Sequence, residues 1–108
     1  MIVLPTINDD IEVILAGTVT TNQLDLYAAY RDITSTAYTP GANQTATNNT
    51  TVVHIVPSPA ADTQRVIDYM SAYNRDTATQ NITLRYDSSG TERILWKGNL
   101  AAGEKVEY

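Results

Sequence analysis

Apolar and polar residues alternate with a period of two along several short segments of the chain. The clearest segment is 81–86, in which Ile82, Leu84 and Tyr86 are separated by polar or charged residues. Successive side chains of a strand point to opposite faces of a sheet, so this pattern predicts a strand with one buried face. Three further segments rich in β-branched and apolar residues are also predicted strands: 11–16, 51–56 and 105–108.

A hairpin is expected after the 81–86 strand. Residues 87–90 are Asp-Ser-Ser-Gly, which is typical of a tight turn, and Gly90 can adopt the positive φ that such turns need. The chain then returns along 93–97, where Ile94 and Trp96 are predicted to face the core and the charged residues to face water. The two strands should therefore pair in an antiparallel arrangement.

Two segments fit a strand and a helix comparably well. In 24–30 the apolar residues alternate, but some of them also recur at helical spacing. In 63–74 the apolar stripe suits a helix with Asp62 as its N-cap, and the same residues alternate as they would in a strand. The strands predicted on either side favour a strand in both places.

Strands spaced every 8–12 residues with turns between them indicate an all-β fold, a single antiparallel β-sandwich or jelly-roll-like domain. The expected domain covers residues 11–108, and residues 1–10 are expected to form an N-terminal arm that docks on a neighbouring subunit. A long Thr/Asn-rich connection lies at 34–51. Loops of this length are uncommon in compact domains, so part of it is expected to extend along the sheet or across a subunit boundary.

Charge and composition narrow the function classes. The net charge is −5 and the seven basic residues are scattered, whereas a nucleic-acid-binding surface needs them clustered; we expect no nucleic-acid partner. The chain has no cysteine, which excludes disulfides and thiolate metal sites and favours a reducing cytoplasm. No signal peptide and no apolar run long enough for a membrane span is found, so no membrane association is expected.

No arrangement of residues predicts catalysis. His54, the only histidine, lies mid-strand between valine and isoleucine without a nucleophile-elbow sequence in the chain, so a structural role is expected for it. Two acidic groups could be paired carboxylates, but both lie near turns at the chain ends, where acidic residues are solvated; they are Asp9, Asp10 and Glu12, and Glu104 and Glu107. The first group together with Asn8 could bind calcium, but its spacing does not match an EF-hand loop. We therefore expect no catalytic residues, no cofactor and no metal.

Exposed aromatic residues are the remaining functional candidates. Seven tyrosines and sixteen threonines suit a thin sheet protein with much surface at interfaces, because tyrosine combines apolar area with a polar tip. The expected interface residues are Tyr27, Tyr38, Tyr69 and Tyr73. They could anchor a protein partner or form a stacking platform for carbohydrate, and the sequence leaves both open.

Three stretches of the chain, 17–26, 65–74 and 94–108, together carry a distinctive order of predicted elements. An asparagine-led turn ends a strand, a hairpin follows, and a closing strand carries Leu100, Gly103, Glu104 and Tyr108 in the pattern L-x-x-G-E-x-x-x-Y. In these features the chain resembles the small β-sandwich virion structural proteins of tailed bacteriophages, of the decoration, neck or tail accessory type.

The resemblance implies a non-enzymatic structural protein that binds capsid, neck or tail subunits, and the alternative is a carbohydrate- or receptor-binding module of a tail fibre. It also implies synthesis in the bacterial host cytoplasm and a final location in the virion. Symmetric assembly would favour a homo-oligomer such as a trimer.

Overall fold

A computed structural model describes residues 1–108, the whole chain, as nine β-strands without a helix. The strands are β1 (Ile2–Leu4), β2 (Asp9–Leu15), β3 (Asp25–Ile33), β4 (Tyr38–Ala46), β5 (Val53–Val56), β6 (Gln64–Tyr73), β7 (Gln80–Ser88), β8 (Thr91–Leu100) and β9 (Lys105–Glu107). The all-β prediction is confirmed, and both ambiguous segments form strands, β3 and β6.

Two antiparallel sheets pack face to face as a β-sandwich. One sheet has the order β1-β6-β3-β4, and β9 joins it on the same side of β6 as β1. The other sheet has the order β5-β2-β7-β8. Strands β7 and β8 form the expected hairpin, with Gly90 at a φ of 87° in its turn. The edge strands are therefore β4, β5 and β8, together with the short strands β1 and β9, which both pair with β6.

Fourteen buried apolar side chains fill the space between the sheets. Strand β2 contributes Ile11, Val13 and Leu15 at alternate positions, each no more than 2% exposed. Strand β3 contributes Leu26 and Ala28 by the same alternation. Full burial of one large aliphatic side chain contributes roughly 1.5–3 kcal/mol, so this shared core is the main stabilising element of the fold.

The two segments without a strand prediction join the five-stranded sheet. Within the 34–51 connection, residues 38–46 form β4, which pairs along its length with β3. At the N-terminus, Ile2–Leu4 pairs with β6 of the same chain, and Leu4 is fully buried. Residues 1–10 are thus part of the sandwich itself, since Asp9 and Asp10 already belong to β2, and they do not form the separate arm expected from the sequence.

Two β-bulges change which face a side chain occupies. In the β7–β8 pair, Leu84 lies opposite Trp96 and Arg85 opposite Ile94, so Leu95 is an extra residue on β8. Ile94, predicted to face the core, is consequently 62% exposed, whereas Trp96 remains packed against the core. In the β2–β5 pair, one residue is likewise inserted into β5 between His54 and Val56.

A buried carboxylate organises the loops at one end of the sandwich. Asp76 accepts hydrogen bonds from the backbone amides of Thr20, Thr21 and Asn22 at 2.7–3.0 Å, and from Gln80 Nε2 at 2.7 Å. Burial opposes ionisation, but these hydrogen bonds outweigh it and hold the pKa of Asp76 well below its usual value. The loop between β2 and β3 is thereby fixed to the loop between β6 and β7.

Candidate functional site

Three of the four predicted interface tyrosines meet on the outer face of the five-stranded sheet. Leu26 and Ala28 point into the core, so Tyr27 points outward from β3. Tyr69 and Tyr73 point the same way from the neighbouring β6, since Tyr73 lies opposite Asp25 and Tyr69 opposite Ala29. The rings of Tyr27 and Tyr69 lie 6.1 Å apart at 52°, and the Tyr69 hydroxyl donates to Glu107 at 2.7 Å. Tyr27 and Tyr69 thus form an aromatic pair, and Tyr73 lies further along the same face.

Tyr38 lies at the other end of the same outer face. It stands opposite Ile33 at the start of β4 and is 60% exposed. At the ~3.3 Å rise of a strand, Ile33 is about 20 Å from Tyr27 along β3. Val3 adds a further exposed apolar side chain to this face, because its neighbours Ile2 and Leu4 turn inward. The surface formed by the four tyrosines with Val3 and Ile33 is called the tyrosine face below.

Sequence reasoning missed Val3 and Ile33. The predicted strand stopped at residue 30, because Arg31 and Asp32 interrupt the alternation of apolar side chains before Ile33. Val3 carries no local signal either, because only its pairing with Val66 on β6 shows that it faces outward. Both residues enlarge the face beyond its aromatic part.

A second candidate surface is the free edge of β8. This ten-residue strand pairs only with β7, and Ile94 and Leu95 on it are 62% and 42% exposed. Beside it, an apolar cleft of about 160 Å³ opens between the two sheets and is lined by residues of β8, β1, β6 and β9, among them Leu95, Trp96, Ile2, Met70 and Val106. A long unpaired edge next to an apolar cleft can accept an extended segment of a partner.

The opposite sheet carries a different surface, where Asp10, Glu12 and His54 meet. This trio is called the histidine–carboxylate cluster. Asp10 and Glu12 alternate on β2 with the core residues Ile11 and Val13, so both point outward. The bulge in β5 places His54 opposite Glu12 on the same outer face. His54 Nε2 lies 3.7 Å from Asp10 Oδ2 and 3.7 Å from Glu12 Oε2.

The sequence predicts a structural histidine in the middle of a strand. His54 does lie in β5, but its side chain points outward. Its side chain is 52% exposed, while its two carboxylate neighbours are nearly buried. The four N-terminal residues considered for calcium do not come together in one site. Asp9 points away from the cluster and accepts hydrogen bonds from Thr6 N and Oγ1. Only two of the four residues in that group, Asp10 and Glu12, lie in the cluster.

Negative charge is concentrated around Asp10. Burial is the largest cause that raises the pKa of the Asp10 carboxyl; His54 opposes it, and the charges of Glu12, Asp87 and Asp9 raise the pKa further. No hydrogen bond reaches Asp10 Oδ1, which is fully buried. Asp10 Oδ1 is thus the one buried side-chain oxygen or nitrogen without a hydrogen-bond partner.

The second acidic group, Glu104 and Glu107, does not form a carboxylate pair. Glu104 accepts a hydrogen bond from the backbone amide of Ala101 in the turn before β9. Glu107 accepts from Tyr69 and lies 3.5 Å from Lys105, and the Tyr69 hydrogen bond is the main cause that lowers its pKa. Each carboxylate is engaged in supporting local structure.

Comparisons with protein-family models, with curated proteins and with solved structures found no match to this chain. The structure contains no helix that is long and apolar enough to cross a membrane. The surfaces that can indicate a function are therefore the two outer sheet faces and the β8 edge.

Proposed function

We propose that this chain is a non-enzymatic structural protein of a tailed phage virion, an accessory or decoration component that docks on capsid, neck or tail subunits. The observation that carries the proposal is the tyrosine face, an exposed aromatic and apolar surface on a rigid sheet. The resemblance of residues 17–26, 65–74 and 94–108 to virion proteins supplies the kind of partner.

The composition of the tyrosine face supports protein docking. Tyrosine anchors contribute much of the binding energy in protein interfaces, because they bury a large area while losing few rotamers. Tyr27 and Tyr73 are 37% and 42% exposed, so each has apolar area left to bury. The hydrogen bond between Tyr69 and Glu107 holds the third ring in place and lowers the entropy that docking would cost.

The β8 edge supports the same proposal in a second way. Soluble monomers usually shorten, bend or charge their edge strands, because an unpaired edge invites pairing with another chain. Strand β8 carries a bulge at Leu95 and three charged residues, but it is ten residues long and still exposes Ile94 and Leu95 at its centre. A neighbouring subunit that paired with this edge would cover both the strand and the adjacent cleft.

The direct test is a cryo-EM reconstruction of the particle whose genome encodes the chain. We expect the sandwich at repeated positions on the capsid, neck or tail, with the tyrosine face against a neighbouring subunit. Absence of the chain from the particle would overturn the proposal. A sandwich that contacts no neighbour through this face would overturn the assigned surface.

A variant pair tests the tyrosine face itself. Tyr27→Ser with Tyr73→Ser removes two exposed rings, and Ile7→Ser removes an exposed apolar side chain from the β1–β2 loop, outside the tyrosine face and the β8 edge, as a control. We expect the double variant to lose incorporation into particles and the control to retain it, with unchanged unfolding curves for both. Saturable binding on a glycan array that the double variant abolishes would instead assign the face to a carbohydrate-binding module.

A further inference from the structure

We propose that the histidine–carboxylate cluster, Asp10, Glu12 and His54, binds one divalent transition-metal ion of the Zn²⁺ type. The proposal is independent of the docking function, because it concerns the outer face of the four-stranded sheet and not the tyrosine face. It also differs from the sequence expectation that the chain holds no metal.

The geometry of the three side chains suits one ion. Their ligand atoms all lie within 4.8 Å of one another, and His54 Nε2 lies 3.7 Å from an oxygen of each carboxylate. A distance of 3.7 Å is too long for a hydrogen bond. Two ligands of one tetrahedral Zn²⁺, each bound at ~2.0–2.1 Å, lie about 3.4 Å apart, so small side-chain rotations bring these atoms into coordination.

Asp10 supplies an independent observation that points to a ligand. The residue is only 9% exposed, and its fully buried Oδ1 has no hydrogen-bond partner. Its other oxygen, Oδ2, faces His54. Buried carboxylates are normally paired, hydrogen-bonded or bound to a metal, because an unpartnered one bears a large desolvation cost. A cation bound at Oδ2 would offset the cost of burying the charge of this carboxylate.

The charged residues around Glu12 orient its carboxylate as a second metal ligand. Arg85 Nε donates to Glu12 Oε1 at 3.0 Å and leaves Oε2 directed towards His54. Such a contact orients a ligand as outer-shell groups do in metal sites. Carboxylate oxygens of Asp87 and Glu92 also lie within 4.8 Å of Glu12. Arg85 pairs with Glu12 and Glu92, so the carboxylates in this area outnumber its one guanidinium. A divalent cation would offset the excess negative charge.

The donor set selects the class of ion. One imidazole nitrogen with two carboxylate oxygens suits Zn²⁺ and related transition metals, whereas Ca²⁺ and Mg²⁺ prefer oxygen ligands alone. The exposed side of His54 leaves room for water to complete the coordination. Without a metal, the alternative is a simple ion pair between protonated His54 and the two carboxylates.

The test is titration of the purified full chain with Zn²⁺ in a metal-free, non-chelating buffer near neutral pH. Calorimetry should show one Zn²⁺ per chain with micromolar affinity. At about 100 times the Kd, the melting temperature should rise by about 10 °C for a domain of this size. Because the chain has a single histidine, its imidazole NMR signals report on His54 alone and should shift when Zn²⁺ is added.

Variants make the test specific. His54→Ala should weaken Zn²⁺ binding at least tenfold without unfolding the protein, since this side chain is half-exposed. Asp10→Asn should weaken it as well, and Asp62→Asn, at an exposed carboxylate with a positive φ that asparagine tolerates, is the matched control. Unchanged affinity in His54→Ala, unchanged imidazole signals, or equal affinity for Ca²⁺ would each overturn the proposal.

Discussion

Asn74→Ala is expected to be among the most destabilising single substitutions in this protein. Asn74 is fully buried at the end of β6. Its Nδ2 donates to the carbonyl oxygens of Ala78 and Leu100 at 3.0 and 2.9 Å, and its Oδ1 accepts from the backbone amide of Asp76 at 2.9 Å. One side chain thus connects the β6–β7 loop with the end of β8.

The cost of the substitution follows from the groups that alanine leaves without a partner. Each buried polar group that loses its hydrogen bond costs about 1–3 kcal/mol, and three such groups are left by Asn74→Ala. Partial access of water to the loop reduces the sum, so we expect about 3–5 kcal/mol. This is a large part of the total stability of a domain, which is typically about 5–15 kcal/mol.

Urea unfolding measures this loss, with the fluorescence of Trp96, the only tryptophan, as the probe. Asn99→Ala is the control, because Asn99 is exposed and its side chain bonds only to the half-buried Asn81; about 0.5 kcal/mol or less is expected. Asn74→Asp keeps the volume but loses both donated hydrogen bonds, so it should be at least as destabilising as alanine. A loss below about 1 kcal/mol for Asn74→Ala, at an unchanged m-value, would refute the reasoning.

Two further predictions concern close packing and pH. A Cβ at Gly98 would lie 2.9 Å from the Trp96 ring, so Gly98→Ala should cost about 1–3 kcal/mol in urea unfolding, whereas Gly17→Ala, with open space around it, should cost much less. The lowered pKa of Asp76 means that its stabilising contribution is present above the usual value of 3.8 and is lost as the pH falls through the lowered pKa. The free energy of unfolding should therefore decrease less from neutral to strongly acidic pH in Asp76→Asn than in the parent protein. An equal decrease in both proteins would contradict this role.

The sequence predicts the strands because their main signal is local. Alternation along β7 places Ile82, Leu84 and Tyr86 on one face, and the structure packs all three at the core. The same local pattern left β3 and β6 open between strand and helix. Their pairing over nine residues of β3 settles the choice, and such long-range pairing is invisible to a short window of sequence.

The β-bulges explain why two side chains could not be placed from the sequence. A strand pattern read with a strict period of two puts Ile94 with Trp96, but the extra residue Leu95 reverses the face of everything before it. The inserted residue in β5 likewise sets His54 beside Glu12 on the outer face. No local composition marks either insertion, so the histidine–carboxylate cluster could not be predicted.

The candidate interface was predicted in its residue types and not in its arrangement. Tyrosine content indicated an interaction surface, but which rings meet depends on the register that places Tyr27 opposite Ser71 and Ala29 opposite Tyr69. The same register leaves Tyr38 at the far end of the face. Adjacent strands fix side-chain neighbours only once they are paired, and that information is distributed over distant parts of the chain.

The two outer faces of the sandwich differ in chemistry. The tyrosine face combines aromatic rings with opposite charges that are paired, as in Arg31–Asp68, whereas the opposite sheet concentrates carboxylates around Arg85 and His54. The two sheets pack about 10 Å apart, and each of the two surfaces lies on the outer side of its own sheet. An ion at His54 therefore does not contact a partner docked on Tyr27, and each can be bound without the other. The sandwich core that separates the faces is what makes this possible.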